Sequence, residues 1–144
     1  MFSKTCQYGI KATIFIAQKS LNGQCVSLKA ITKEIDSPTA FTAKILQKLA
    51  KSEIIESVKG AAGGYRIEKD KLKAIRLHQI IYAIDGDALY NGCGLGLQRC
   101  NAHKPCPVHH KFSVLRDSLK EMFMSTRIFE LATGLENGLT YLKR

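Results

Sequence analysis

The sequence contains no apolar run of eighteen residues, so nothing in it reads as a membrane-spanning helix. Its first eighteen residues carry Lys4 and Lys11 and lack both a long apolar core and a small-residue cleavage site, which argues against a secretory leader. A cytoplasmic setting, away from membranes, is the expectation. Acidic residues are scarce, 12 against 22 Lys and Arg, for a net charge of +10. The five cysteines, an odd number, do not close into a disulfide framework, and in a reducing compartment clustered thiols point instead to metal or redox roles. Glycine-rich nucleotide-binding motifs, a convincing nucleophile and base, and a second cysteine group for electron relay are all missing, which speaks against an enzyme or electron carrier.

At 144 residues with 45% apolar content, the chain builds one core and hardly two. The basic excess is uneven. Residues 1–75 hold 13 basic and 6 acidic side chains, residues 76–144 hold 9 and 6. A basic N-terminal half suits a polyanion, because each phosphate neutralised releases condensed counterions.

What the chain does have is a dense group of soft donors. Cys93, Cys100, Cys106 and His109 fall within seventeen residues, in a stretch punctuated by glycine and proline. Thiolates bind zinc or iron because they are soft donors, and gaps of six and five residues let a loop turn each sulfur inward. A loop of incidental cysteines or a disulfide is the plainer alternative, and the reducing setting disfavours it. His110 is next to His109, but adjacent helical side chains point about 100° apart, so His109 ranks first. His103 lies inside the loop, and His78 reads as a partly buried structural residue. Cys6 and Cys25 stand apart and read as structural.

Apolar spacing predicts the order of elements. A helix over Thr5–Ser20 ends at Asn22-Gly23. A short helix over 27–35 is capped by Ser27 and faces Leu28, Ile31 and Ile35 inward. After the Asp36-Ser37-Pro38 turn, with Ser37 as cap, a third helix over about 38–51 buries Phe41, Ile45, Leu46 and Leu49 and leaves Thr39, Ala40, Thr42, Ala43, Lys44 and Lys48 opposite. Two short helices joined by a tight turn match a DNA-reading helix-turn-helix. The next segment, residues 54–67, has two alternating apolar runs around a glycine-rich tip and reads as a β-hairpin wing. A further apolar helix runs from Arg76 to Asp85. Thr39, Ala40, Phe41, Ala43 and Lys44 are the candidates for a groove-facing surface, with Lys59, Gly60, Gly63, Gly64, Tyr65 and Arg66 of the wing beside them. Ala40 and Ala43 offer a base only apolar contact or shape.

Beyond the loop, Val108, Phe112, Leu115, Leu119, Met122, Thr126 and Phe129 alternate at intervals of four and three, a heptad seam that predicts a symmetric homodimer. The stretch from about Thr126 to Leu142 folds back as a further short element. The expected fold class is mainly α with a small β wing. A winged helix-turn-helix unit occupies residues 1–85, a metal or iron–sulfur loop 86–110, and a dimerisation helix with a C-terminal element 107–144.

The run from Val26 to Ile67, with Lys59-Gly60-Ala61-Ala62-Gly63-Gly64-Tyr65 at its wing, followed by Ile80-Ile81-Tyr82-Ala83-Ile84-Asp85-Gly86 and the cysteine loop, resembles the Rrf2 family of bacterial winged-helix transcription regulators. The resemblance spans nearly the whole chain. It implies a homodimeric regulator, in many members a repressor, that binds a double-stranded DNA operator. In the cluster-binding branches, three loop cysteines hold an iron–sulfur cluster, 2Fe–2S or 4Fe–4S, at positions that fall on Cys93, Cys100 and Cys106. The iron–sulfur-assembly branch takes its fourth ligand from a histidine three residues after the last cysteine, where His109 stands. The nitric-oxide-sensing branch uses an acidic residue of the first helix, where this chain has Gln7, a poor ligand. The six residues between Cys93 and Cys100 exceed the four or five of those branches, so the resemblance fixes neither nuclearity nor stimulus. Zinc held by three cysteines and a histidine, or a thiol switch on the same fold, is the alternative. An iron–sulfur enzyme or electron carrier is the more distant one.

Overall fold

A computed structural model describes residues 1–144. Its elements are α1 (Lys4–Leu21), α2 (Leu28–Ile35), α3 (Thr39–Lys51), β1 (Glu56–Val58), β2 (Gly64–Arg66), α4 (Lys69–Leu72), α5 (Leu77–Asp85), α6 (Ala88–Asn91), α7 (His109–Ser125) and α8 (Ile128–Glu136). The chain is thus mainly helical, with one antiparallel hairpin in which Ser57 faces Tyr65. No helix is long and apolar enough to cross a membrane.

Local chemistry sets the boundaries. Ser3 caps α1 by accepting from the Cys6 N–H at 3.0 Å, and Ser27 caps α2 by accepting from Ala30. The Asn22-Gly23 turn ends α1, with Gly23 at φ 70°. The cap expected at Ser37 is not there. Pro38 is the N-cap of α3, and the Ser37 hydroxyl meets that of Thr42 at 2.6 Å instead. This pairing corrects the predicted face of α3. Thr42, whose hydroxyl also donates to the Pro38 carbonyl, is fully buried with Ile45, Leu46 and Leu49, whereas Phe41 is 38% exposed. A satisfied hydroxyl can be buried at little cost, so the threonine takes the core position and the phenylalanine the rim.

One apolar core holds the elements together. Ala12, Phe15 and Ile16 of α1 pack with Ile31 and Ile35 of α2, Ile45 and Leu46 of α3, Ile80 and Ile81 of α5, Phe123 of α7, and Ile128 and Ala132 of α8. The C-terminal helix therefore returns to the first. Glu136 of α8 accepts from Gln18 of α1 and from its C-cap Asn22 at 2.8 and 3.4 Å, and Leu77 and Ile128 hydrogen-bond backbone to backbone with Thr126 and Ile75. The predicted seam is shortened by this turn. The helix ends at Ser125, Thr126 is its C-cap, and Phe129 belongs to α8. What remains along α7 is an apolar face open to solvent, with Phe112 39%, Leu115 64% and Met122 44% exposed.

Candidate metal centre and nucleic-acid interface

The cysteine loop is held at both ends. Before it, Tyr90 of α6 is buried with its ring edge-on to Phe123, 6.1 Å between centroids. After it, α7 begins at His109, whose backbone N–H donates to the Cys106 carbonyl at 3.0 Å. Two side chains of α7 reach back across the gap: Arg116 donates to the Gly92 carbonyl at 3.2 Å and Lys120 to the Asn91 side chain at 3.3 Å. Gly94 lies on the Phe112 ring, where a Cβ would come within 2.8 Å of ring carbons, so glycine lets the loop rest on α7.

The four predicted ligands meet as two pairs. Cys93 and Cys106 have their sulfurs 3.9 Å apart, and the Cys100 sulfur is 3.3 Å from Nδ1 of His109. No three of the His, Cys, Asp and Glu side chains stand together as a ready metal-holding group. The three thiols are free and half-buried, and His109 is 9% exposed. His103 and His110 are on the surface. Backbone N–H groups of Leu95 and Leu97, helped by the Cys106 thiol, hold the Cys93 thiol below its ordinary pKa range, favouring the thiolate that binds metals.

By their chemistry three thiols and an imidazole suit a thiophilic metal, and one of the two pairs in which they stand has a matching spacing. Metal–sulfur bonds of about 2.3 Å at the tetrahedral angle place two sulfurs about 3.8 Å apart, close to the separation of Cys93 and Cys106. Cys25 is half-buried and away from the loop, and Cys6 is fully buried in the core.

The second candidate surface is built by α3 and the hairpin. Thr39, Ala40, Phe41 and Lys44 are exposed and Ala43 is half-buried at the start of α3. Lys59 and Gly60 are exposed at the hairpin tip, while Gly63, Gly64 and Tyr65 are half-buried for a structural reason. Tyr65 exchanges two backbone hydrogen bonds with Val26, 2.9 and 2.8 Å, anchoring the wing to the start of the helix-turn-helix. Gly64, at φ 140°, lies so close to the Val26 carbonyl that any Cβ would collide with it. Arg66 is exposed but committed, since its Nε donates to Glu56 across the strands at 2.9 Å.

Sequence reasoning missed part of this surface. Lys4 and Lys11 of α1 hold their ammonium groups 5.3 and 5.2 Å from the centre of the Tyr8 ring, and Tyr8 meets Phe41 edge-on. The spacing of Lys4, Tyr8 and Lys11 already marks one helix face. That this face abuts the start of α3 is a tertiary fact.

A helix-turn-helix backed by a two-stranded wing defines a winged-helix DNA-binding regulator. Residues 2–134 match the Rrf2 family model, described as an iron-dependent transcriptional regulator, and the chain belongs to that family. It is 34% identical to a protein of Aquifex aeolicus described as an HTH-type transcriptional regulator, with 100% of this chain and 99% of that one aligned. It is 25% identical to the HTH-type transcriptional regulator IscR of Photorhabdus laumondii, over 90% of this chain and 77% of the relative. Two solved structures share the fold. The global cysteine regulator CymR of B. subtilis superposes with a TM-score of 0.76 at 22% identity, covering 92% of this chain and 96% of CymR. IscR of T. potens gives 0.74 at 20%, covering 97% and 91%. These relatives are transcription regulators, which sets aside the enzyme and electron-carrier readings.

Proposed function

We propose that the protein is a homodimeric, iron–sulfur-responsive regulator, in which Cys93, Cys100, Cys106 and His109 hold a cluster whose state sets affinity for a double-stranded operator. The observation that carries this reading is the 3.9 Å separation of Cys93 and Cys106, the spacing of two thiolates on one metal, beside the Cys100–His109 pair. When bound, an iron–sulfur cluster supplies a centre sensitive to oxidants, nitric oxide and iron supply. The chain's own part is to bring the two ligand pairs together. His109 is both a ligand and the first residue of α7, so closing the loop on a metal pulls on that helix.

Residues 1–85 form the DNA-binding unit in this reading, 86–110 the ligand loop, and 107–144 the dimer helix with α8 folded back on α1. The exposed face of Phe112, Leu115 and Met122 receives the same face of a second copy, which spaces two α3 helices for successive half-sites. Thr39 and Phe41 approach base edges, Lys44 contacts phosphate, and Ala40 and Ala43 add apolar contact. Lys59 and Gly60 of the wing reach the phosphate backbone, and Arg66, Gly63, Gly64 and Tyr65 support it. Only a ligand state with different affinity for the two helix spacings switches DNA binding.

Anaerobic purification followed by assay of iron, acid-labile sulfide and zinc tests the reading. Coloured protein containing sulfide is expected, with the colour lost in Cys100→Ala and Cys106→Ala and retained in Cys25→Ala. Stoichiometric zinc without sulfide overturns the cluster. The same 3.9 Å pair also favours a zinc-pinned or thiol-switched regulator as second reading, because tetrahedral zinc accepts the same ligands.

A further inference from the structure

Between Asp87 and Asp117 the chain contains no acidic residue, so the ligand loop has no carboxylate of its own. It has cations. Arg99, Lys104 and Lys111 are exposed, whereas the Arg116 side chain is only 14% exposed. That side chain projects from α7 across the mouth of the loop. One of its terminal nitrogens donates to the carbonyl of Gly92, the residue before the first cysteine, at 3.2 Å. The guanidinium also stands 3.7 Å from the exposed Asp117 carboxylate. A single planar fork thus holds the loop at its entry, beside the first ligand Cys93. Lys120, one turn along α7, holds Asn91 in the same way, so this flank of the helix is a rack on which the loop hangs.

The charge balance says what such a group does. Three thiolates and a neutral imidazole around a divalent metal leave one net negative charge, and placing an uncompensated charge in a half-buried site is costly. Arg116 is the cation placed to offset it. Guanidinium suits the task because it stays protonated and offers several donors in a fixed plane.

We infer that Arg116 is the positioning residue of the metal centre: it fixes the loop entry at Gly92 and brings a positive charge beside the thiolate ligands, thereby strengthening metal capture and raising the reduction potential of a redox-active centre. This rests on the proposed ligand set, and goes beyond it by assigning a role to a residue that is not a ligand.

Cobalt(II) serves as the probe, since thiolate ligation of it is visible and does not depend on whether the native metal is iron or zinc. In full-length metal-free protein, Arg116→Gln is expected to weaken cobalt binding about tenfold, the loss of a hydrogen bond to a charged group. Arg116→Lys, which keeps the charge without the fork, should recover part of that loss. Circular dichroism and urea unfolding of each variant show whether the fold survives. In protein carrying an iron–sulfur cluster, Arg116→Gln should also lower the midpoint potential, because removing a neighbouring positive charge disfavours the added electron. Arg116→Lys should restore it, a readout that a merely structural role would not move.

The outcomes separate the two ideas. Unchanged cobalt affinity in folded Arg116→Gln overturns the role of Arg116 and leaves the ligand set standing. Tight cobalt binding that depends on Arg116, in a protein that never acquires sulfide, upholds Arg116 and overturns the cluster. A wild-type chain that binds no cobalt overturns both.

Discussion

The ring of Tyr8 on α1 meets the ring of Phe41 on α3 edge-on, with centroids 5.9 Å apart and 78° between planes. The pair joins the basic face of α1 to the start of α3. Tyr8→Ala should cost about 1 kcal/mol of stability, the scale of an aromatic pair, and weaken operator binding because Phe41, Lys4 and Lys11 lose their common support. Tyr8→Phe keeps the ring and should preserve both. Urea unfolding and fluorescence anisotropy with operator DNA measure the two effects.

Within the wing, Lys59 is free and Arg66 is paired with Glu56 at 2.9 Å. Lys59→Ala should therefore weaken binding to many DNA sequences and flatten the salt dependence by about one unit for each phosphate that is no longer neutralised. Arg66→Ala should do less. Glu56→Gln removes a negative charge and releases Arg66, so DNA affinity should rise. Titrations at several salt concentrations rank the three, and equal slopes for Lys59→Ala and wild type would remove the wing from the interface.

Gly64 occupies φ 140° with the Val26 carbonyl where a side chain would be. Gly64→Ala meets both a forbidden backbone region and a backbone clash, and should destabilise by about 2 kcal/mol or more. Gly60 has φ 106° but open space around its Cα, so Gly60→Ala should cost less. Denaturant midpoints compare them directly.

Leu115 is 64% exposed whereas Leu119 packs partly against the core. A charge at Leu115 therefore probes the second-copy interface without unfolding the chain. Sedimentation of Leu115→Asp should give a folded monomer where the wild type gives a dimer at micromolar concentration. A wild-type monomer under those conditions ends the dimer proposal.

Burial, and secondarily the nearby Asp85 carboxylate, push the Cys6 thiol from 9.0 up to about 12. A raised folded-state value means that the stability is fully present below pH 9 and is lost as pH climbs toward 12, by up to about 1.4 kcal/mol per pH unit. In the same window Cys6→Ala should show a shallower alkaline decline than wild type, followed by urea unfolding at successive pH values. Matching declines would show that Cys6 is not the group responsible.

The order of the main helices, the wing and the place of the cysteine loop were legible in the linear chain, because each is written in local chemistry. Ser27 three residues before a backbone N–H it can cap, the 3.6-residue spacing of Ile31 and Ile35, and alternation around the glycines at 60, 63 and 64 all act over a few residues. So does the family likeness, which follows those same motifs in order. The face of α3 was less legible. Phe41 is the more hydrophobic residue by composition, yet Thr42 takes the buried place because Ser37 and Pro38 satisfy its hydroxyl.

By itself the sequence determined which elements form and which residue types are available for chemistry, since backbone propensity, capping and apolar periodicity are short-range. Only the tertiary structure decided how those residues are shared. It placed Tyr8 against Phe41 and committed Arg66 to Glu56. It also pinned Gly64 under Val26, sorted four soft donors into two pairs, and brought Arg116 across the loop to Gly92. Each of these depends on packing and charge acting between segments distant along the chain, and no local pattern encodes such distances.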